Sequence, residues 1–344
     1  MRKLALIVLA ASLLTACSPA AKTTAPAPAA APAPEATAPK TADPKKVSLI
    51  LDWYPNAVHS FIYAATTQGY FKEAGLDVAI KMPAENPTDG IKLVGAGKET
   101  FALYYQPDVL MARGEGIPVV SVAAVVRKPL NGIMVPADSG IKSPKDLEGK
   151  QVGYPGIPLN IPMVKTMVKA AGGDPAKVTL TDISWDLIPA IQTKRVPAIA
   201  GGFVNHEKPI LEKEGTPMTR FSPADWGVPN YYELVLITGE QTIKSDASTV
   251  KAFWTALAKG QDWVKGHKAD ALKLLVSEQS KDFPVDVDVE TKALETLLPL
   301  MEEPGTKFGA QSQSDWEKVA AWMVSQGVLK ADVKPAEAFA DVTK

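Results

Sequence analysis

The sequence holds one cysteine and three histidines in 344 residues. A single thiol, Cys17, excludes a disulfide within the chain and leaves no cysteine set for an iron–sulfur cluster or a thiolate zinc site. His59, His206 and His267 are widely separated and lack metal-ligand spacing. Charge of one sign is lacking as well. The 37 Lys+Arg against 38 Asp+Glu give a net charge of −1, so no global field draws nucleic acid or an anionic membrane. What is present is an ordinary globular composition, 46% hydrophobic and 22% charged, in a chain long enough for two domains. Seven tryptophans are a generous supply, and several fall outside obvious core patterns.

The first 46 residues read as address and tether. Arg2 and Lys3 precede an apolar run from Leu4 to Leu14, too short to span a bilayer and suited to a secretory signal. It ends in Leu14-Thr15-Ala16-Cys17, which resembles the lipobox of bacterial lipoproteins. That resemblance implies a signal peptide over 1–16 and a lipidated Cys17 that anchors the chain to a bacterial membrane, facing periplasm or exterior. An ordinary signal peptide with a chance cysteine is the alternative. Residues 17–46 are dominated by Ala, Pro and Thr, cannot bury enough surface to fold, and favour an extended, semi-stiff spacer.

From Val47 onward strands and helices alternate. Expected strands are 47–51, 76–80, 101–104, 119–126, 133–135, 151–154, 178–180, 198–203 and 232–238. Helices are expected over 58–68, from Thr88 or Asp89 to Val94, and over 107–113, 161–171, 187–193 and 206–214. Ser143, Pro144 and Gly149 bracket a short helix as N-cap, first residue and stop. From Ser245 the chain is mainly helical. This predicts a mostly parallel α/β architecture in two lobes, 47–131 plus 235–344 and 132–234, with crossings near Asn131 and Tyr232. A hinge and a cleft follow from that arrangement.

Ligands of open α/β sheets bind beyond the carboxyl ends of strands, where this sequence places its unusual residues. Asp52, Trp53, Asn56 and His59 follow the first strand; Trp53 can stack on a flat ring, and Asn56 can donate and accept. A core Trp53 and a helix-capping Asn56 are the bland alternatives. Tyr104 and Tyr105 point to opposite faces by alternation, and Tyr105, beside Gln106, is the one expected in the cleft. Gly156, after Tyr154, would let backbone approach a ligand, though that turn lacks the phosphate-loop Lys-Ser/Thr and the dinucleotide fingerprint. Trp185 follows the strand at 178–180. Asn205 and Glu207 close another strand, with Glu207 at a helix start where the dipole favours its negative charge. Tyr232 lies at the second crossing.

Leu51-Asp52-Trp53-Tyr54-Pro55-Asn56 with His59, Gly69-Tyr70-Phe71-Lys72, Tyr105-Gln106-Pro107-Asp108 and Gly153 through Pro158 together resemble the solute-binding proteins related to thiamine-pyrimidine synthases. So do Gly201-Gly202 through Glu207, and Pro229 through Leu234. The resemblance covers nearly all of 47–340 and is strongest to binding proteins for N-formyl aminopyrimidine. It implies a two-lobed periplasmic-binding-protein type II fold that delivers a small heteroaromatic ligand to an ABC permease and its ATPase. It further implies that Trp53 and a Tyr sandwich the ring while Asn56, Asn205 and Glu207 read its nitrogens and amino group.

The related synthases resemble this chain in fold but use a Cys-rich run near the second crossing and a His and Lys around the third strand. Here those stretches read Asn230-Tyr231-Tyr232-Glu233-Leu234 and Tyr104-Tyr105-Gln106-Pro107. The expectation is therefore a binding protein and not an enzyme, a monomer without cofactor or metal. The ligand expected is a formylated or hydroxymethylated aminopyrimidine. Riboflavin or a sulfonate is the rival ligand, and a pyrimidine-processing enzyme the rival class. The segments offer no Arg and only an edge Lys208 to an anion, which argues against sulfonates.

Overall fold

A computed structural model describes residues 43–83, 89–279 and 284–343. The proposed signal peptide, Cys17, most of the tether and Thr88 lie outside these described residues. The strands are β1 (Lys45–Ile50), β2 (Leu76–Lys81), β3 (Phe101–Tyr104), β4 (Val119–Val126), β5 (Asn131–Pro136), β6 (Gln151–Tyr154), β7 (Thr179–Asp182), β8 (Ala198–Phe203), β9 (Met218–Phe221) and β10 (Leu234–Gly239). They form two five-stranded sheets, ordered β2-β1-β3-β10-β4 and β7-β6-β8-β5-β9.

The two sheets repeat one plan. In the first, β1 runs parallel to β2 and β3, while β10 is antiparallel to β3 and β4. In the second, β6 is parallel to β7 and β8, while β5 is antiparallel to β8 and β9. The reversed strand of each sheet is the first one after a crossing: β5 after residues 127–130, β10 after residues 222–233. Every residue of β4 and β10 is buried, consistent with their continuous apolar runs; β4 is an edge strand, but bridges to Phe339 and Gly309 cover it, whereas the other edge strand, β2, alternates along LDVAIK.

Helices cover the sheets: α1 (Ser60–Thr67), α2 (Tyr70–Glu73), α3 (Asp89–Gly95), α4 (Gln106–Gly114), α5 (Asn160–Ala170), α6 (Leu187–Gln192) and α7 (Glu207–Lys213). The C-terminal part adds α8 (Glu240–Gly266), α9 (Lys268–Ser277), α10 (Val287–Met301) and α11 (Gln313–Ser325). Their caps are sequence-encoded. Asp286 accepts from the N–H groups of Asp288 and Val289 to start α10, and Ser312 accepts from Asp315 to start α11. One core under the first sheet stacks Phe101 on Phe253 at 4.0 Å between ring centroids, with Phe71 on the far side of Phe253 at 5.3 Å. Among the described residues no helix is long and apolar enough to cross a membrane.

Several boundaries differ from the sequence reading by one to three residues, and one strand was not expected. β1 starts at Lys45, two residues into the expected spacer, because its backbone pairs with Leu76 and Asp77 of β2. β10 starts at Leu234, not Tyr232. β9, with Arg220 in its centre, carries too little apolar pattern to announce itself and exists through antiparallel pairing with β5.

Candidate functional site

The carboxyl ends of the first sheet's strands carry a closed polar network. Asn56 caps the short 3-10 turn Ala57–His59: its Oδ1 accepts from Val58 N–H at 3.1 Å and its Nδ2 donates to the Tyr54 carbonyl at 3.0 Å. Its backbone N–H donates to His59 Nδ1 at 3.2 Å. With Nδ1 accepting, the imidazole proton sits on Nε2 and is donated to Asp52 Oδ1 at 2.9 Å. The other oxygen of Asp52 accepts from the Tyr105 hydroxyl at 3.2 Å. His59 is wholly buried, so its role is to hold Asp52, which in turn fixes Tyr105. Behind this loop, Glu290 of α10 accepts from Ala57 N–H at 2.6 Å.

The second sheet supplies the opposing side. Trp185 follows β7 in a turn held by Asp182, whose Oδ1 accepts from Ser184 N–H at 2.8 Å. Its side chain is 52% exposed, yet its ring lies 5.0 Å from that of Trp53, tilted by 51°. The two tryptophans, one beyond β1 and one beyond β7, therefore meet across the two sheets. Tyr154 ends β6, half-buried. Gly156 has φ +71°, and a Cβ there would stand 2.9 Å from Asp182 Oδ2, so the turn needs glycine on both counts. Glu207 sits in the first turn of α7 and accepts from Phe203 N–H at 2.6 Å. Asn205 is buried, and its Oδ1 has no hydrogen-bond partner among the described residues.

The crossings join the two halves. Gln106 and Tyr232 pair through Tyr232 N–H to Gln106 Oε1 at 2.8 Å and Gln106 N–H to the Tyr232 carbonyl at 3.3 Å. The Tyr232 hydroxyl is committed to the start of α11: it donates to Asp315 at 2.8 Å and accepts from Ser312 N–H at 3.0 Å. Tyr104 is core, so Tyr105 is the member of that pair committed to Asp52.

Residues that the sequence reading left out of the site complete this region. Glu233 is buried and accepts from Leu130 N–H at 2.8 Å and Asn131 N–H at 3.1 Å, tying the second crossing to the first. Burial pushes its carboxyl up to about 7, against the pull of those two donors and of Arg220. Asp108 is also raised to about 7, by burial and by the charge of Glu233. Burial, then the negative Asp52 and Glu233, holds the Tyr105 phenol well above its ordinary range. Arg220, lowered by burial, donates to the carbonyls of Pro129 at 2.8 Å and Asn131 at 2.7 Å. Asn131 Nδ2 donates to Asn160 Oδ1 at 3.0 Å. Asp52, Asp108, Glu207 and Glu233 bring carboxyl groups to this region, with Arg220 and Arg127 as the cations beside the second crossing. No cluster of metal-ligating side chains occurs among the described residues. A cavity of about 700 Å³ on the crossing side is lined by Lys128, Arg220, Asn230 and Pro299, away from the paired tryptophans.

Comparison with known proteins gives a consistent placement. Residues 56–271 match the family model described as NMT1/THI5 like. The formylaminopyrimidine-binding protein of Halalkalibacterium halodurans is 46% identical over 298 residues, covering 86% of this chain and 90% of that protein. The 4-amino-5-hydroxymethyl-2-methylpyrimidine phosphate synthase THI11 of Saccharomyces cerevisiae is 30% identical over 66% of this chain and 69% of its own. Among solved structures, the periplasmic aliphatic sulphonate binding protein SsuA of Escherichia coli superposes with a TM-score of 0.68 at 12% identity, over 86% of this chain and 92% of that one. At that identity the likeness speaks to fold, which is the two-lobed periplasmic-binding-protein arrangement of the two sheets.

Proposed function

The chain belongs to the NMT1/THI5-like family, and on that premise we propose that it captures a formylaminopyrimidine-type ligand between its two lobes for an ABC importer. The observation that carries the reading is the Trp53–Trp185 pair, which brings aromatic surface from both sheets to one place. A flat, amine-bearing heterocycle suits that chemistry: rings stack on indoles, and exocyclic amines donate to carboxylates and amide oxygens. Glu207, through the oxygen not held by Phe203, and Asn205, through its unpartnered Oδ1, are the amine acceptors in this reading. Arg220 donates to two carbonyls through one terminal nitrogen and leaves its Nε without a partner among the described residues; it lines the cavity away from the paired tryptophans, so an anion such as a sulfonate held there would not meet their stacking surface.

Capture without turnover is the second part of the proposal. The His59 imidazole is held by Asn56 and Asp52, and the stretches that carry cysteine, lysine and histidine in the synthases here carry Tyr, Asn and Gln. Residues 47–131 with 235–344, and 132–234, act as lobes that close by bending at the two crossings, with Trp53 and Trp185 meeting on closure. Lipidation at Cys17, after removal of 1–16, holds the protein at the cell envelope while the Ala/Pro-rich segment lets it reach the permease.

Titrating the full chain with formylaminopyrimidine, with tryptophan fluorescence as readout, tests the reading. It predicts quenching that saturates at one ligand per chain, and unchanged ligand recovered after denaturation. No binding, or recovery of a chemically altered compound, overturns it.

A further inference from the structure

Four buried side chains near the crossings have an amide atom with no hydrogen-bond partner among the described residues: Gln106 Nε2, Asn131 Oδ1, Asn160 Nδ2 and Asn205 Oδ1. Two of them are already bonded to each other. We propose that Asn131 and Asn160 form a ligand-reading pair, presenting one acceptor and one donor side by side to the edge of the bound heterocycle. This rests on the functional reading above and adds residues to it.

The geometry points to a prepared site. The bond from Asn131 Nδ2 to Asn160 Oδ1, at 3.0 Å, orients both amides at once and leaves Asn131 Oδ1 and Asn160 Nδ2 as the unused pair. Turning both amides over exchanges the two roles but leaves the same donor beside the same acceptor. The backbone of Asn131 is fixed on both sides, by Glu233 on its N–H and by Arg220 on its carbonyl. Asn160 has its own support, because Gly201, at φ +98°, leaves room for it. A Cβ at Gly201 would stand 2.8 Å from Asn160 Nδ2. Both side chains are therefore buried and bonded to each other without a ligand, an arrangement that lowers the ordering cost of recognition. Buried polar groups are ordinarily paired, and amides left half-satisfied in a rigid frame are costly unless something completes them.

Position supports the same conclusion. Asn131 opens β5 opposite Phe203 of β8, whose N–H holds Glu207. Asn160 opens α5, and Gln106 opens α4 directly beyond β3 of the other sheet. The unused amide atoms thus cluster where chains leave the carboxyl ends of β3, β6 and β8, the position at which open α/β sheets bind ligands. An adjacent donor and acceptor complement a ring nitrogen beside an exocyclic amine, or the N–H and C=O of a formamide.

The test uses the full chain and formylaminopyrimidine. Asn160→Asp keeps the acceptor for Asn131 and removes the outward donor. At pH 8, where the added carboxyl is ionised, it is expected to weaken binding at least tenfold by calorimetry in a variant that circular dichroism shows to be folded at the assay temperature. A folded variant that binds within twofold of wild type overturns the pair. A crystal structure of the wild-type complex decides the matter without any substitution. The expected result is ligand polar atoms about 3 Å from both Asn131 Oδ1 and Asn160 Nδ2. A bound ligand beyond hydrogen-bond reach of both overturns the assignment and leaves the functional reading standing, whereas absence of wild-type binding overturns the functional reading and the pair together.

Discussion

Replacing Glu233 with glutamine isolates the electrostatics of the crossing. The carboxyl is buried and raised to about 7 from an ordinary 4.5, burial outweighing its two backbone donors. A tenfold change in proton affinity corresponds to about 1.4 kcal/mol, so ionised Glu233 costs the folded state on the order of 3 kcal/mol above pH 7. The sign follows from proton counting. Between about pH 4.5 and pH 7 the folded chain holds this proton while the unfolded chain has lost it, so this contribution makes stability fall as pH rises through that window and then level off. Glutamine cannot ionise, and its carbonyl oxygen can still accept from Leu130 and Asn131. The loss of charge-assisted hydrogen bonding in the variant also enters, but comparison across pH removes every contribution that does not titrate. Relative to wild type, Glu233→Gln should therefore gain roughly 3 kcal/mol on moving from about pH 4.5 to about pH 8, a melting shift of roughly 5 °C. Asp108 adds in the same direction, because it loses a negative neighbour. Thermal denaturation followed by circular dichroism at both pH values measures the difference. A gap between variant and wild type that stays constant with pH refutes the reasoning.

Trp185 is half-exposed and its ring packs on Trp53, so Trp185→Ala should leave the unliganded melting temperature nearly unchanged. Losing a stacking partner worth about 1 kcal/mol should weaken ligand binding roughly fivefold, as read by calorimetry. Lys213 of α7 bonds Asp286 at 2.7 Å and Asp288 at 3.0 Å, joining a helix of the second sheet to the start of α10. Lys213→Glu should speed ligand release severalfold in stopped flow, and added salt should shrink the difference. Cys17→Ser should shift the protein from the membrane pellet to the soluble fraction; unchanged membrane association would argue for a different anchor.

Much of the fold was legible because its strands are buried apolar runs bounded by turn residues. Phe101–Tyr104, Val119–Val126, Gln151–Tyr154 and Ala198–Phe203 begin and end where the pattern places them. β9 was not legible, since Met-Thr-Arg-Phe carries no clear period and owes its strand to the β5 edge. The aromatic part of the site was visible for a chemical reason: Trp53 and Trp185 sit in turns, where indoles are seldom placed by packing alone. Their mutual contact was not visible, because it depends on how two sheets face each other. Asn56 and His59 read as polar groups near a strand end, and their roles as cap and as support for Asp52 appear only once three-dimensional neighbours are known. Tyr232 shows the limit most plainly. Its position at the crossing is as expected, yet its hydroxyl goes to Ser312 and Asp315, 80 and 83 positions onward. The amides of Asn131 and Asn160 meet because β5 pairs with β8 and α5 begins beside it, a coincidence that no local pattern encodes.

The central claim, a cleft that captures a formylaminopyrimidine-type ligand without altering it, is tested most directly by mass spectrometry of the small molecule released from the purified full chain. The account predicts one formylated aminopyrimidine per chain, of unchanged mass after prolonged incubation with the protein. Release of a sulfonate or a flavin, or conversion of added formylaminopyrimidine to another compound, would contradict it.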